Sequence, residues 1–227
     1  MIDVSATDAF HSTWPGATVG VMAIESLENP GSHPALDAEK TRLEVVLRER
    51  HAGQTRADLR ATPTLAAYER YYRRFGNTYH VRLQLESVAL KGKPIASVSA
   101  LVEAMLMSEL ETGLLTAIHD LDSIAAPLVI DVARGTETYL TASGRETTLK
   151  PDDIFMTDSS DVICSILYGQ DARTRVTSET RNALFVVYAP PGIAPAGVEW
   201  HLALIDRLVR LESPNATSDR PVLVVAG

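Results

Sequence analysis

The sequence contains a single cysteine, Cys164, among its 227 residues, so an intramolecular disulfide is excluded. No segment approaches the roughly 18 to 20 uninterrupted apolar residues that a membrane-spanning helix requires, and we expect no membrane partner. The first segment, MIDVSATDAF, lacks both the basic flank and the apolar centre of a secretion signal. These three absences predict a cytoplasmic protein.

Positive charge is scarce as well, since 21 lysines and arginines face 29 aspartates and glutamates, for a formal net charge of −8. This balance weighs against broad adhesion to nucleic acid, and we expect no DNA partner. A local basic face remains open, because the predicted helical region carries a group of arginines. They are Arg48, Arg50, Arg56, Arg70, Arg73 and Arg74. The simpler interpretation is a solvated helix face.

The familiar catalytic and cofactor motifs are absent. The sequence has no GxxxxGK[ST] phosphate loop, no GxGxxG turn and no GxSxG elbow. Its histidines are not spaced as paired metal ligands, and one cysteine cannot form a zinc constellation. We therefore expect no metal and no cofactor, and we interpret Cys164, in the apolar run DVICSILYG, as a buried inert thiol.

Hydrophobic patterning predicts helices through most of the first half. ATVGVMAIESL indicates an early buried strand, and ALDAEKTRLEVVLRER has the apolar spacing of an amphipathic helix. A further helix is expected to begin at Pro63, with Thr62 as its cap, and to end at Gly76. Its aromatic residues lie three or four apart and are predicted to pack into the core. They are Tyr68, Tyr71, Tyr72 and Phe75.

After a strong helix in SVSALVEAMLMSELETG, the pattern changes to short β-like runs such as PLVIDVA and RNALFVVYAP. A closing amphipathic helix and the run RPVLVVAG follow. The sum predicts an α+β fold, in which helices of the N-terminal half pack on a large mixed β-sheet. We expect one domain over residues 1–227: an N-terminal strand and helix (1–62), a core (63–191), and a C-terminal helix and strand (192–227).

Two polar corners are the candidate sites. AIHDLDSI, at 117–124, places His119, Asp120 and Asp122 just before a predicted strand. YGQDARTRVTSETRN, at 168–182, has more hydrogen-bonding capacity than a plain hairpin needs. Loops on a rigid sheet often carry function. The structural alternatives are aspartates that cap the next element, and an exposed turn whose charges pair with each other.

Together these segments resemble a known family. LKGKPIASVSALVEAMLMSELETGLLTAIHDLDSI, followed by strands and RTRVTSETRNALFVV, is similar to the tRNA-binding and editing module (the B3/B4 domain) of the bacterial phenylalanyl-tRNA synthetase beta subunit. This sequence is more similar still to the freestanding relatives of that module. The similarity runs from about Leu65 to Pro191 and includes a V-T-x-x-T-x-N-x-L signature over 176–184. It implies an α+β fold, a tRNA partner and an aminoacyl-ester hydrolase that acts on the tRNA 3′ end.

The resemblance also implies site residues. His119 falls on the editing-site histidine of the family, and Gln170 and Arg173 match a glutamine and an arginine of the freestanding members. Arg82, with Glu86, matches another pair of those relatives. The synthetase module reads the tyrosine hydroxyl with a glutamate in a glycine-rich loop. This sequence has Gln170-Asp171 there instead, so the resemblance does not carry over tyrosine specificity.

These residues give a hypothesis for the chemistry. His119 would accept a proton from water, Arg173 would hold a phosphate or the oxyanion, and Asp171 would complete the catalytic set. The expected substrate-binding residues are Gln170, Asp120, Thr180 and Arg82. We expect His119 and Arg173 to face one hollow. Two rival functions remain open: a non-catalytic tRNA- or ligand-binding module, and an amidase or esterase that acts on small acyl compounds.

Overall fold

The computed structural model describes residues 2–31 and 33–227, and it confirms the α+β class. Helices dominate the first half, as predicted, and one long helix follows near the C-terminus. The helices are α1 (Asp8–Thr13), α2 (Pro34–Arg50), α3 (Arg56–Ala61), α4 (Pro63–Arg74), α5 (His80–Leu85), α6 (Ala100–Thr112) and α7 (Pro195–Glu212). A π-helical turn, Glu86–Leu90, continues α5 directly.

The strands are short and are concentrated in the second half. They are β1 (Val4–Ala6), β2 (Thr18–Glu25), β3 (Thr116–Asp120), β4 (Leu128–Val132), β5 (Thr138–Leu140), β6 (Glu146–Thr148), β7 (Ile154–Thr157), β8 (Val162–Ser165), β9 (Gly169–Gln170), β10 (Ala183–Ala189), β11 (Thr217–Ser218) and β12 (Val222–Val225). Where we expected one large mixed sheet, the described strands form two sheets and a separate hairpin.

The first sheet has the order β1-β4-β7-β8-β9, and it is mixed because β1 runs parallel to β4. The second has the order β11-β2-β10-β3, with β12 also paired to β2. Strands β5 and β6 form the hairpin. The final apolar run therefore joins a sheet as β12, as the sequence indicated.

The second sheet lies at the centre of the core. All seven residues of β10 are buried, and the strand pairs with β2 on one side and β3 on the other. Helix α7 covers this sheet at Gly20, where an added Cβ would lie 2.5 Å from Val198 Cγ1. Glycine at this position therefore permits the close approach of helix and strand.

The tyrosine face of α4 packs into the core as predicted, and its hydroxyl groups are hydrogen-bonded there. The hydroxyl of Tyr68 donates to the Tyr188 carbonyl at 2.6 Å, and that of Tyr71 donates to Asp153 Oδ1 at 2.7 Å. Pro63 occupies the first turn of the helix, but the Thr62 side chain does not cap it. The Thr62 hydroxyl donates backward to the Leu59 carbonyl instead.

Candidate functional site

The first polar corner begins inside a strand rather than in a turn. His119 belongs to β3, which ends at Asp120, and a short 3₁₀ turn follows. Asp120 caps that turn, since its Oδ1 accepts a hydrogen bond from Asp122 N at 3.1 Å. Its Oδ2 accepts from Thr180 Oγ1 at 2.6 Å. Asp120 and Thr180, both predicted to bind substrate, thus connect the two corners to each other.

His119 is fully buried beside the second corner. Its Nδ1 lies 2.6 Å from Thr174 Oγ1, and the Thr174 hydroxyl donates to Asp171 Oδ1. Because that hydroxyl has one proton, His119 Nδ1 must be the donor in its contact with Thr174. Burial, with the Arg173 charge as a second cause, lowers the pKa of His119 to about 3. The imidazole is therefore neutral and sealed from solvent.

Arg173 is the outer member of the same corner. Its guanidinium donates to the Ser123 carbonyl at 2.6 Å and to Asp158 Oδ2 at 2.7 Å. Asp171 is buried and accepts from the backbone N–H groups of Arg173 and Thr174. The two corners therefore meet, as expected. The hollow that we expected between the imidazole and the guanidinium is not there, because His119 has no exposed surface.

Arg82 lies within a buried charge cluster. It is 2% exposed and makes ion pairs with Glu69 and Glu86. Arg56 approaches Glu86 at 3.4 Å from outside. A buried guanidinium with two carboxylate partners has a structural explanation, and leaving either charge unpaired would be costly.

A cavity of about 470 Å³ lies next to these corners. Three segments form most of its wall. They are residues 115–118, which include the start of β3, residues 164–170, and the loop 141–143. Helical residues His80, Val102 and Met105 close another side. Gln170 is the sequence-predicted site residue that lines it. Ligand sites of this size commonly combine apolar walls with a few polar groups.

Polar side chains at the cavity come from both sheets and from α5. The Thr141 and Ser143 hydroxyl oxygens lie 2.9 Å apart, and Ser165 Oγ accepts from Tyr168 N at 3.1 Å. His80 lies at the rim, exposed, as the first residue of α5. Although the residue is exposed, neighbouring protein atoms partly desolvate its ring and lower the pKa of His80 below its usual value, which favours the neutral imidazole near pH 7.

A second buried histidine supports the cavity wall from behind. Thr116 Oγ1 lies 2.6 Å from His201 Nε2, and His201 Nδ1 lies 2.7 Å from Thr112 Oγ1. Burial lowers the pKa of His201 to about 3. Glu109 Oε1 accepts from Thr116 N at 2.8 Å, and burial raises the pKa of this carboxyl to about 8. The wall therefore rests on polar groups that are uncharged at neutral pH.

The predicted basic face is largely neutralised by partners. Arg48 pairs with Glu44 at 2.9 Å, and Arg50 pairs with Glu111 at 2.5 Å. Arg74 contacts an aspartate at 2.5 Å. These pairs favour the solvated-face interpretation over an extended phosphate-binding surface.

Within 2–31 and 33–227, no helix is long and apolar enough to cross a bilayer. The same residues contain no cluster of three or more histidine, cysteine or acidic side chains that would hold a metal ion.

Comparison with known proteins identifies the core of the chain. A family model described as "B3/4 domain" matches residues 67–202. An N-terminal fragment of the phenylalanyl-tRNA synthetase beta subunit from Pyrococcus horikoshii has a similar fold, with a TM-score of 0.50 at 13% sequence identity. The match covers 96% of this chain and 50% of that fragment, so this chain spans about half the length of the fragment it resembles. No curated protein matches the sequence.

Proposed function

Because this chain belongs to the B3/4 domain family, we propose that its cavity binds the aminoacyl end of tRNA and that the protein hydrolyses mischarged aminoacyl esters in trans. The observation that carries this proposal is the cavity of about 470 Å³, with mostly apolar walls and a neutral imidazole at its rim. The reaction would take place in the cytoplasm, where such esters are formed.

An aminoacyl ester is already activated, so its hydrolysis requires an aimed water, a hydrogen-bond donor for the carbonyl and restricted solvent. We assign the role of proton acceptor to His80, since a neutral imidazole can take a proton from water or from the terminal ribose hydroxyl. Gln170 offers an amide that can bind the acyl group. His119 was expected to be the proton acceptor, but it is fully buried, so we assign it the role of a positioning residue for Thr174 and Asp171.

The paired arginines also predict how tRNA would bind. Because most arginines of the possible basic face pair with carboxylates, the protein would contact the 3′ end and only a small number of phosphates through that face. The logarithm of the binding constant should then fall only shallowly with the logarithm of salt concentration.

The direct experiment follows deacylation of tRNAs charged with different radiolabelled amino acids. The wild-type protein should release at least one amino acid faster than buffer does, and His80→Gln should slow that release by about 10²- to 10⁴-fold. His51→Gln is the matched control, because His51 lies at the end of α2 and contacts Gln54 at 2.8 Å. Absence of accelerated release from every charged tRNA would contradict the hydrolytic part of the proposal.

A non-catalytic binding module is the second candidate. The sealed imidazole of His119 and the neutralised guanidinium of Arg173 favour it, since two of the expected catalytic groups are committed to structure. In that case charged tRNA would bind in a filter or fluorescence assay, and its ester would remain intact.

A further inference from the structure

Strand β3 is an edge strand of the second sheet. One of its edges pairs with β10, and the other edge faces the cavity, whose wall includes Leu115, Thr116, Ala117 and Ile118. An unpaired strand edge presents backbone N–H and C=O groups in a fixed order. The hydrogen bonds of the neighbouring residues establish which of these groups point to the cavity side.

Two contacts identify the residues that face β10. Tyr188 N donates to the Leu115 carbonyl at 3.2 Å, and Leu121 N donates to the Asn182 carbonyl at 2.9 Å. In an antiparallel strand, backbone groups alternate between the two edges. Odd-numbered residues of β3 therefore face β10, and even-numbered residues face away from it.

The even-numbered residues confirm this alternation. Thr116 N donates to Glu109 Oε1 at 2.8 Å, and Asp120 N donates to the Thr174 carbonyl at 2.7 Å; both point away from β10. Ile118 lies between them, so its N–H and C=O share that direction. Among the described residues, neither group of Ile118 has a hydrogen-bond partner.

Ile118 is only 1% exposed, although its peptide groups are unpaired. Buried backbone groups are nearly always satisfied, and an orphaned N–H is rare. Ile118 lines the cavity, so a ligand in that space can supply the missing hydrogen-bond partner.

We propose that the main chain of Ile118 binds the α-aminoacyl group of the ligand. Its N–H donates to the ligand carbonyl oxygen, and its C=O accepts from the ligand amino group, as one strand residue pairs with another in an antiparallel ladder. An α-amino acid carries that donor and acceptor on one carbon, which matches a single strand residue. This inference rests on the proposed function and names the recognition element of the same site.

The geometry has two consequences for the ligand. Recognition of the α-amino and carbonyl groups is independent of the side chain, which is left to the apolar walls. The Ile118 N–H also donates to the carbonyl oxygen of the ligand. A fixed donor at that position stabilises the negative charge that develops on the oxygen during hydrolysis. Simple amines without a carbonyl group, and carboxamides without an α-amino group, each satisfy only one of the two backbone groups.

The test uses amino-acid amides, which are not activated esters and allow equilibrium binding to be measured. A panel of L-amino-acid amides is titrated by calorimetry, and the tightest binder is compared with its desamino amide and with the amine in which a methyl group replaces the carboxamide. Loss of either partner should weaken binding about tenfold, the usual effect of one hydrogen bond. Equal affinities within the trio, or no binding by any amide, would overturn the proposal.

A backbone variant tests Ile118 directly. Replacing residue 118 with the hydroxy-acid counterpart of isoleucine removes its N–H and retains its side chain. Binding of the best amide should weaken about tenfold. The melting temperature should fall less than in the control, because the fold is affected only through the Ala117 carbonyl, which faces β10 and becomes a weaker ester acceptor. The same replacement at Leu121 is the control: its N–H is bonded to Asn182, so the melting temperature should fall. Wild-type affinity in the 118 variant would contradict the assignment.

These results are separable from those on deacylation. Amides that bind in this pattern to a protein that leaves every charged tRNA intact would support Ile118 and overturn the hydrolase. Deacylation by a protein whose affinity does not depend on the α-amino group would support the hydrolase and overturn the role of Ile118.

Discussion

The His119 corner and the cavity are neighbouring regions built on the same strand, and they differ in how their polar groups are satisfied. At the corner, Asp171 binds Thr174 and Arg173, and Arg173 binds Asp158. At the cavity, the peptide groups of Ile118 have no hydrogen-bond partner within residues 2–31 and 33–227. The corner contains more ionisable side chains, and its carboxylates and guanidinium are paired, although His119 Nε2 is buried without a hydrogen-bond partner among the described residues. The cavity has fewer ionisable groups, and backbone groups there remain open to a ligand.

This contrast separates two uses of polar groups. Satisfied buried groups fix the relative position of loops, and their removal should reduce stability. Unsatisfied groups beside a cavity leave hydrogen bonds for a ligand, and their removal should reduce affinity with little effect on stability. The following variants test that distinction, from the largest expected effect to the smallest.

Asp171→Ala should cause the greatest loss of stability, about 3 kcal/mol in the free energy of unfolding. The change leaves the Thr174 hydroxyl and two backbone N–H groups without their acceptor. Urea denaturation measures it, with Asp161→Ala as an exposed control that should cost less than about 1 kcal/mol. A loss for Asp171→Ala no larger than that of the control would contradict the closed-corner interpretation.

Glu109→Gln should change how stability depends on pH. Burial raises the pKa of Glu109 to about 8, so the folded protein favours the protonated carboxyl. Its contribution is present at low pH and is lost as pH rises toward 8, by about 1 to 2 kcal/mol between pH 6 and 8. Asp153, whose pKa burial raises to about 7, adds in the same direction. The variant should show a shallower decline in denaturant unfolding across this range, and an unchanged slope would contradict the assignment.

Ala142→Leu should reduce ligand affinity at least tenfold, because the larger side chain enters the cavity from the 141–143 loop. Stability should change by less than about 1 kcal/mol, since the position is only partly buried. Calorimetric titration with the best amino-acid amide measures the first effect, and thermal unfolding measures the second. Full affinity in this variant would place the ligand elsewhere.

His119→Asn should have the smallest effect. Asparagine keeps an N–H near the position of Nδ1 and can still donate to Thr174, so the unfolding free energy should fall by about 1 kcal/mol or less. Amide affinity and any deacylation should remain at the wild-type level. A hundredfold loss of deacylation in a folded variant would restore His119 as the reacting base.

Much of the fold was predictable from local pattern. Helix α4 began at Pro63, its tyrosines formed the expected buried face, and the final run joined a sheet as β12. The division of the strands was not predictable, because sheet order depends on pairings between distant segments. The parallel pairing of β1 with β4 joins residues 4–6 to residues 128–130, and no local signal marks it.

The site was predicted only in part. The sequence indicated that the two polar corners meet, and Gln170 lies at the cavity. The sequence motif around His119 could not show that this side chain is buried, because its burial depends on segments that are distant in sequence and pack around β3. His80 gave no sequence signal beyond its place after Gly76. Sequence motifs are read from side-chain types, so they could not identify the backbone groups of Ile118.

Strands β11 and β12 lie along the outer edge of β2, opposite β10. Seven of the eight residues of β2 are buried and most are apolar, so this edge would be a template for strand addition if it were open. A shortened protein that ends before residue 217 would expose it. Such a protein should self-associate through β2 even if every residue around the cavity remained in place, which makes these last short strands a safeguard of solubility.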